Sequence, residues 1–116
     1  MDLVSLSQLG RIEEETEVIK GLKIKLHTLS SGDQEFVAKA ITPSTNSETS
    51  IIAGLPTVQQ IVLAKSTVSI NGEAGTFEQF LEAYKVMQHE VIRTIYTAYL
   101  SLLDKQDKVV EELKKK

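Results

Sequence analysis

Few side chains in this sequence could carry out chemistry, and they form no recognisable catalytic pattern. The two histidines, His27 and His89, lie far apart, and neither belongs to a pair with ligand spacing such as HExxH. Cysteine is absent, which excludes a disulfide framework, a thiolate zinc site and a cysteine nucleophile. Segment 72–75 is too short and too acidic to cradle phosphate, and no GxSxG motif marks a serine nucleophile. We therefore predict no catalytic residue, no metal site and no cofactor, and expect that the protein is not an enzyme.

The composition indicates one small soluble domain. The chain has 116 residues, with 13 basic and 16 acidic side chains and a net charge of −3. A dedicated nucleic-acid binder needs a basic face, so a nucleic-acid partner is not expected. Asp2 and polar residues interrupt the first ten positions, which is unlike a secretory signal. No apolar run approaches the roughly 18 residues of a membrane span, so no membrane partner is expected.

Three regions are predicted along the chain. Residues 1–16 form an N-terminal arm whose leucines either fray or pack on a partner, and residues 76–116 form a long helical region. Between them, residues 17–75 form a small α+β region with a flexible loop at 42–53. We predict an α+β fold with a small antiparallel hairpin or sheet in the N-terminal part, short helices, and a long C-terminal helix or helical hairpin.

A hairpin is predicted near the start of the middle region. Residues 22–27 alternate apolar and polar side chains, the period of a half-buried strand, with Leu22, Ile24 and Leu26 toward the core. Residues 17–20 are the predicted partner strand, and Gly21 supplies a positive φ in the turn. Glu13, Glu14 and Glu15, just before this strand, form an acidic run that is interpreted as solvated surface.

A short helix is predicted after the hairpin. Ser31 and Gln34 have the spacing of a capping box. Pro43 is expected to end this helix, because the residue before a proline is pushed out of the α region. The polar stretch 44–50 that follows is predicted to be a surface loop.

A second helix and a strand follow this loop. Pro56 suits the first turn of a helix, where its missing N–H is not needed. Residues 66–70 alternate again and contain several β-branched side chains. Asn71 and Gly72 then form a strong turn dipeptide. The pattern leaves open whether this strand joins the first hairpin in one sheet.

The C-terminal region is predicted to be helical throughout. Thr76 and Gln79 form a capping box, and neither Gly nor Pro occurs after them. Forty residues of helix would be about 60 Å long, while a domain of this size has a radius of gyration near 13 Å. The helix therefore either folds back near 86–90 or projects from the domain.

The second half of this region carries an apolar seam with heptad spacing, in which Gln106 is the polar member. The candidate partner-binding residues on this seam are Ile92, Tyr96, Tyr99, Leu103, Val110 and Leu113. A second row at Ile95, Leu102 and Val109 widens the stripe. The stripe packs either on the hairpin of its own chain or on another chain, which the sequence leaves open.

Three segments together resemble small assembly proteins of tailed bacteriophages. They are residues 21–34, the run LAKSTVSINGE at 63–73, and the helix at 91–106. The T-even-type baseplate hub assembly protein and the tail assembly chaperones share a strand of this alternation, an L-A-K/R-S segment ending in I-N-G, and a C-terminal helix. The shared motifs are structural, so the resemblance transfers no site residue.

The resemblance implies a non-enzymatic role in building a phage tail or baseplate. The protein would bind other tail or baseplate proteins through its C-terminal helix and hairpin edge, as a transient chaperone or as a retained part of the virion. It would act in the host cytoplasm during assembly or reside in the virion tail. The alternative hypothesis is a self-associating helical adaptor, a homo-oligomer unrelated to phage. A small enzyme is a third hypothesis, without positive support in the sequence.

Overall fold

The structure is a computed structural model that describes residues 6, 8–41 and 57–114. It has an antiparallel four-stranded sheet in the N-terminal part, short helices and a long C-terminal helix, which confirms the predicted α+β class. The predicted loop 42–53 lies outside the described residues. In chain order the elements are β1 (Glu13–Ile19), β2 (Leu22–His27), α1 (Ser31–Ile41), α2 (Val58–Ser66), β3 (Thr67–Ile70), β4 (Glu73–Ala74), α3 (Phe77–Val86) and α4 (His89–Lys114).

All four strands belong to one sheet, in the order β1-β2-β3-β4. Ile24 of β2 pairs with Ile70 of β3, which answers the question that the sequence left open. Gly21 has a φ of +88°, as predicted for the first turn. Asn71 and Gly72 have φ values of 50° and 82°, so both residues of the second hairpin loop are left-handed. That conformation is why the Asn-Gly dipeptide predicts a two-residue hairpin.

The first strand is longer than predicted. It begins at Glu13 rather than near residue 17, so the acidic run is part of β1 and the N-terminal arm ends before residue 16. The outward side chains of β1 are glutamates, which pair across the strands with the polar residues of β2. The sequence predicts too short a strand because the first residues of β1 show no alternation of apolar and polar side chains. Their pairing with β2 depends instead on opposite charges across one face of the sheet. The cross-strand pairs are Glu13 with His27, Glu15 with Lys25 and Glu17 with Lys23.

The two middle helices begin at different residues from those predicted. At α1 the side chain of Ser30 accepts from the Asp33 N–H, and the Asp33 carboxylate accepts from the Ser30 N–H. The predicted capping box at Ser31 is therefore wrong. At α2 the box is formed by Thr57 and Gln60, so the helix begins after Pro56 rather than with it. In both cases the helix begins after the residue whose hydroxyl oxygen accepts a backbone N–H of the first turn, Ser30 for α1 and Thr57 for α2.

The C-terminal region folds back, one of the two outcomes that the sequence allowed. The predicted capping box of Thr76 and Gln79 starts α3. Met87 adopts an extended conformation, with φ −78° and ψ 151°, while its N–H still donates to the Tyr84 carbonyl. The helix therefore breaks between α3 and α4 without glycine or proline. Folding back lets both helices cover one small core.

The core lies between the sheet and the helices, with α2 and α4 packed against β2. The inward alternation of β2 is confirmed, since Ile24 and Leu26 are buried and Leu22 packs at the margin. One buried polar pair crosses the core: Thr67 donates to the Leu63 carbonyl, and the Tyr84 hydroxyl lies 2.5 Å from the Thr67 hydroxyl. The cluster of buried apolar residues is Ile24, Leu26, Leu63, Ala64, Phe80, Tyr84, Ile92, Ile95, Tyr99 and Leu102.

Candidate interaction surface

The first half of the predicted seam lies in the protein's own core. Ile92 and Tyr99 are buried there beside Ile95 and Leu102 of the second row. The prediction that Ile92 and Tyr99 bind a partner is therefore wrong for the folded chain. Their side chains are covered by the sheet and by the other helices, because α4 packs against β1, β2 and α2.

Two further seam residues lie at the margin of the core. Tyr96 and Leu103 are half-buried and pack against the core cluster. The rings of Tyr96 and Tyr99 are 5.9 Å apart between centroids. Burial raises the pKa of the Tyr99 phenol, and the neighbouring Tyr96 adds to the rise. These side chains contribute mainly to the stability of the fold.

The last two turns of α4 are different, because apolar side chains remain exposed there. Leu113 is 40% exposed and Val109 is 36% exposed, while Val110 is half-buried. These residues continue the core-facing stripe of α4 past the end of the core. Of the six candidate residues, Val110 and Leu113 are the two that lie in this part of the helix.

The N-terminal residues meet α4 at this same end. The Gln106 side chain donates to the Gly10 carbonyl at 3.1 Å. Gly10 has a φ of +78°, and a Cβ built on it would lie 3.6 Å from a methyl carbon of Val110. A Cβ would therefore fit here, and it is the positive φ rather than a lack of space that makes glycine suitable at this position. A turn precedes Gly10, in which the Leu9 N–H donates to the Leu6 carbonyl.

The turn brings two more exposed apolar side chains to the end of the molecule. Leu6 is 51% exposed and Leu9 is 60% exposed. We call the surface formed by Leu6, Leu9, Val109, Val110 and Leu113 the apolar end surface. The sequence places the two leucines in an arm but does not join that arm to the helix, since the hydrogen bond between Gly10 and Gln106 links residues that are far apart in the chain.

A cavity of about 360 Å³ lies beside the apolar end surface. Its apolar lining comes from Leu6, Leu9 and Leu29, and Gln106 reaches it from α4. The remaining lining is polar and includes Arg11, whose guanidinium lies 3.0 Å from the Glu13 carboxylate. The cavity joins the N-terminal turn to the start of α1, so the apolar end surface is concave on one side.

Neither histidine lies in a cluster of reactive groups. Nδ1 of His27 is 2.8 Å from the Thr28 carbonyl, so this nitrogen carries the proton in that contact. His89 is exposed at the first residue of α4. Within residues 6, 8–41 and 57–114, no three His, Cys, Asp or Glu side chains are grouped so that they could hold a metal ion.

No helix in the described part of the chain is long and apolar enough to cross a membrane. Comparison with protein-family models, with curated proteins and with solved structures gives no match. The site must therefore be interpreted from its own geometry and from the sequence motifs.

Proposed function

We propose that this protein is a non-enzymatic component of phage tail or baseplate assembly, and that it binds another tail protein through the apolar end surface. The observation that carries the proposal is the group of apolar side chains left exposed where the N-terminal turn meets the end of α4. Contiguous exposed apolar surface usually marks a protein-binding site. The choice of a tail protein rests on the resemblance of the three sequence segments.

The arrangement favours a helix or an apolar loop as the bound element. Val109 and Leu113 lie one helical turn apart on α4, so a partner helix could pack along them. The neighbouring concavity can accept a side chain beside Leu6 and Leu9. A surface of a few apolar residues suits a reversible contact, which fits an assembly factor as well as a retained subunit.

Capture from phage-infected cells tests this function. The interface variant is Val109→Lys combined with Leu113→Lys, which places two charges in the apolar end surface. The matched control is Leu100→Lys, because Leu100 is 48% exposed on the same helix but lies outside this surface. The wild type and the control are expected to retain a structural tail protein, identified by mass spectrometry, and the interface variant to lose it.

Two results would contradict the proposal. One is retention of the same tail protein by the interface variant with its helical content and melting temperature unchanged. The other is failure of the wild type to capture any tail protein. If light scattering then shows a homo-oligomer that the interface variant dissociates, the self-associating adaptor replaces the phage function.

A further inference from the structure

The outer edge of β1 carries backbone groups that pair with no strand in the described part of the chain. β1 is the first strand in the sheet order, so no described strand pairs with its other side. The Thr28 N–H donates to the Ile12 carbonyl, so Ile12 and Thr28 are opposite each other at a hydrogen-bonded position. The pairs Glu14–Leu26 and Thr16–Ile24 follow at steps of two residues and are hydrogen-bonded positions as well. In an antiparallel pair, bonded and non-bonded positions alternate. The N–H and C=O groups of Glu13, Glu15 and Glu17 therefore point away from β2, toward the free edge.

The other side of β2 supports this assignment independently. The Asn71 N–H donates to the Lys23 carbonyl at 2.7 Å, so Lys23 directs its backbone toward β3 rather than β1. Lys23 is the cross-strand neighbour of Glu17. Glu17 is thus at a non-bonded position, as the alternation requires.

The side chains along this edge are acidic on one face. Glu14 points to the helix side, where its carboxylate binds Lys105 of α4 at 2.6 Å. The three glutamates of the edge point to the opposite face and are exposed. Slight burial opposes ionisation of Glu13, but the hydrogen bond and charge of Lys25 and the charge of Arg11 outweigh it and lower the pKa of Glu13.

The other two glutamates of the edge have no close partner of opposite charge. Glu15 and Glu17 form no ion pair with any residue that the structure describes, although Lys25 and Lys23 lie opposite them. Lys25 instead binds Glu13 at 3.3 Å. The free edge therefore presents negative charge beside unpaired backbone donors and acceptors.

We propose that the free edge of β1 binds an extended basic segment of another protein, which joins the sheet as an added strand. Backbone hydrogen bonds to the three edge residues would hold the segment, and its lysine or arginine side chains would lie opposite the glutamates. β2 shows the matching pattern, since its alternating Lys23, Lys25 and His27 face the same glutamates from the other side. The surface is separate from the apolar end surface, so this proposal does not depend on the tail-protein function.

The same charges disfavour a second copy as the occupant. Pairing two β1 edges would place glutamates against glutamates, and like charges directly opposite one another destabilise a sheet. Edge strands are commonly protected from self-pairing by charge. The glutamates thus disfavour pairing with β1 of a second copy and favour pairing with a basic strand.

A peptide titration followed by NMR tests the proposal. The probe has the sequence of β2, Leu-Lys-Ile-Lys-Leu-His, and the control peptide has glutamate in place of both lysines. The lysine peptide is expected to bind at least about tenfold more tightly, because two to three cross-strand charge pairs favour it. Its binding should weaken as salt rises. The amides of Glu13, Glu15 and Glu17 should shift and exchange more slowly.

Two variants separate edge addition from other modes of binding. Glu15→Pro removes an N–H that points to the free edge and leaves the pairing with β2 intact, so it should abolish binding. If Glu15→Pro does not fold, the Glu15→Lys and Glu17→Lys double variant serves instead and should reverse the preference in favour of the glutamate peptide. Equal binding of the two peptides, shifts confined to the apolar end surface, or self-association through β1 would overturn the proposal.

Discussion

Tyr84 shows how one polar atom is accommodated in the core. The ring is completely buried, and the Thr67 hydroxyl already donates to a carbonyl, so the Tyr84 hydroxyl must donate to Thr67. Burial raises the pKa of Tyr84 to about 12, because a phenolate at this position would be cut off from water. The folded state therefore favours the neutral form of Tyr84, because no water reaches the ring to solvate a phenolate.

Alkaline pH is expected to destabilise the protein through Tyr84. An unfolded tyrosine ionises near pH 10, so the contribution of Tyr84 is complete below that pH and is lost as pH rises through 12. The loss is about 2–3 kcal/mol, since one pKa unit corresponds to about 1.4 kcal/mol. Urea unfolding of wild type and Tyr84→Phe over this range measures it.

The two unfolding profiles should approach each other above pH 10 and then cross, because ionisation costs the wild type about 2–3 kcal/mol and leaves Tyr84→Phe unaffected at this position. At neutral pH Tyr84→Phe is less stable by about 1 kcal/mol, because it loses one buried hydrogen bond. Above pH 10 only the wild type has Tyr84 to ionise. The control is Tyr96→Phe, in which Tyr84 remains. A constant difference between wild type and Tyr84→Phe would show that Tyr84 is not held neutral.

α4 is one helix with two different roles along its length. Its first half supplies buried side chains to the core, and its last two turns contribute Val109, Val110 and Leu113 to the apolar end surface. The same apolar spacing runs through both halves. The sheet and the other helices end before the stripe does, so the pattern alone does not show where burial stops.

Alanine substitutions should separate the two halves of α4. Ile95→Ala is expected to lower the free energy of unfolding by about 2–5 kcal/mol, because Ile95 is completely buried and its loss leaves a cavity. Leu113→Ala should cost under about 1 kcal/mol, since Leu113 remains partly solvated. Chemical denaturation of both variants gives the comparison, and equal losses would mean that the end of α4 is buried in solution.

At the scale of the whole molecule, the N-terminal turn and β1 meet the last part of α4 at one surface. The hydrogen bond between Gln106 and Gly10 and the ion pair between Lys105 and Glu14 join segments more than ninety residues apart. The exposed ion pair contributes little by itself. The hydrogen bond from Gln106 to the Gly10 carbonyl is the contact that ties the N-terminal turn to the end of α4.

Removing the Gln106 side chain should loosen the N-terminal turn. Gln106→Ala leaves the Gly10 carbonyl without this donor, at an expected cost of about 0.5–1.5 kcal/mol. The amides of Leu9 and Arg11, which donate within the turn, should then exchange faster with solvent. Asp107→Ala is the control, because Asp107 is exposed on the same helix. Unchanged exchange in Gln106→Ala would mean that other contacts fix the turn.

Local patterns in the sequence determine much of this fold. The alternation of β2, the Asn71-Gly72 turn and the cap at Thr76 are confirmed because each depends on residues adjacent in the chain. The extent of β1 was missed because it depends on pairing with β2. The cap of α1 lies at Ser30 rather than Ser31, because either serine could supply the side-chain oxygen. Pro56 indicated where α2 begins, whereas the cap is the neighbouring Thr57.

The apolar stripe of α4 is determined by the sequence, but its use is decided by the tertiary structure. Periodicity identifies which side chains share a face, because the helix repeat is local. Which of them are buried depends on how far the sheet and the other helices extend, and on the contact that brings Gly10 to Val110. That information is non-local, so Ile92 and Leu113 are equivalent in the sequence, while in the folded protein one is core and the other is surface.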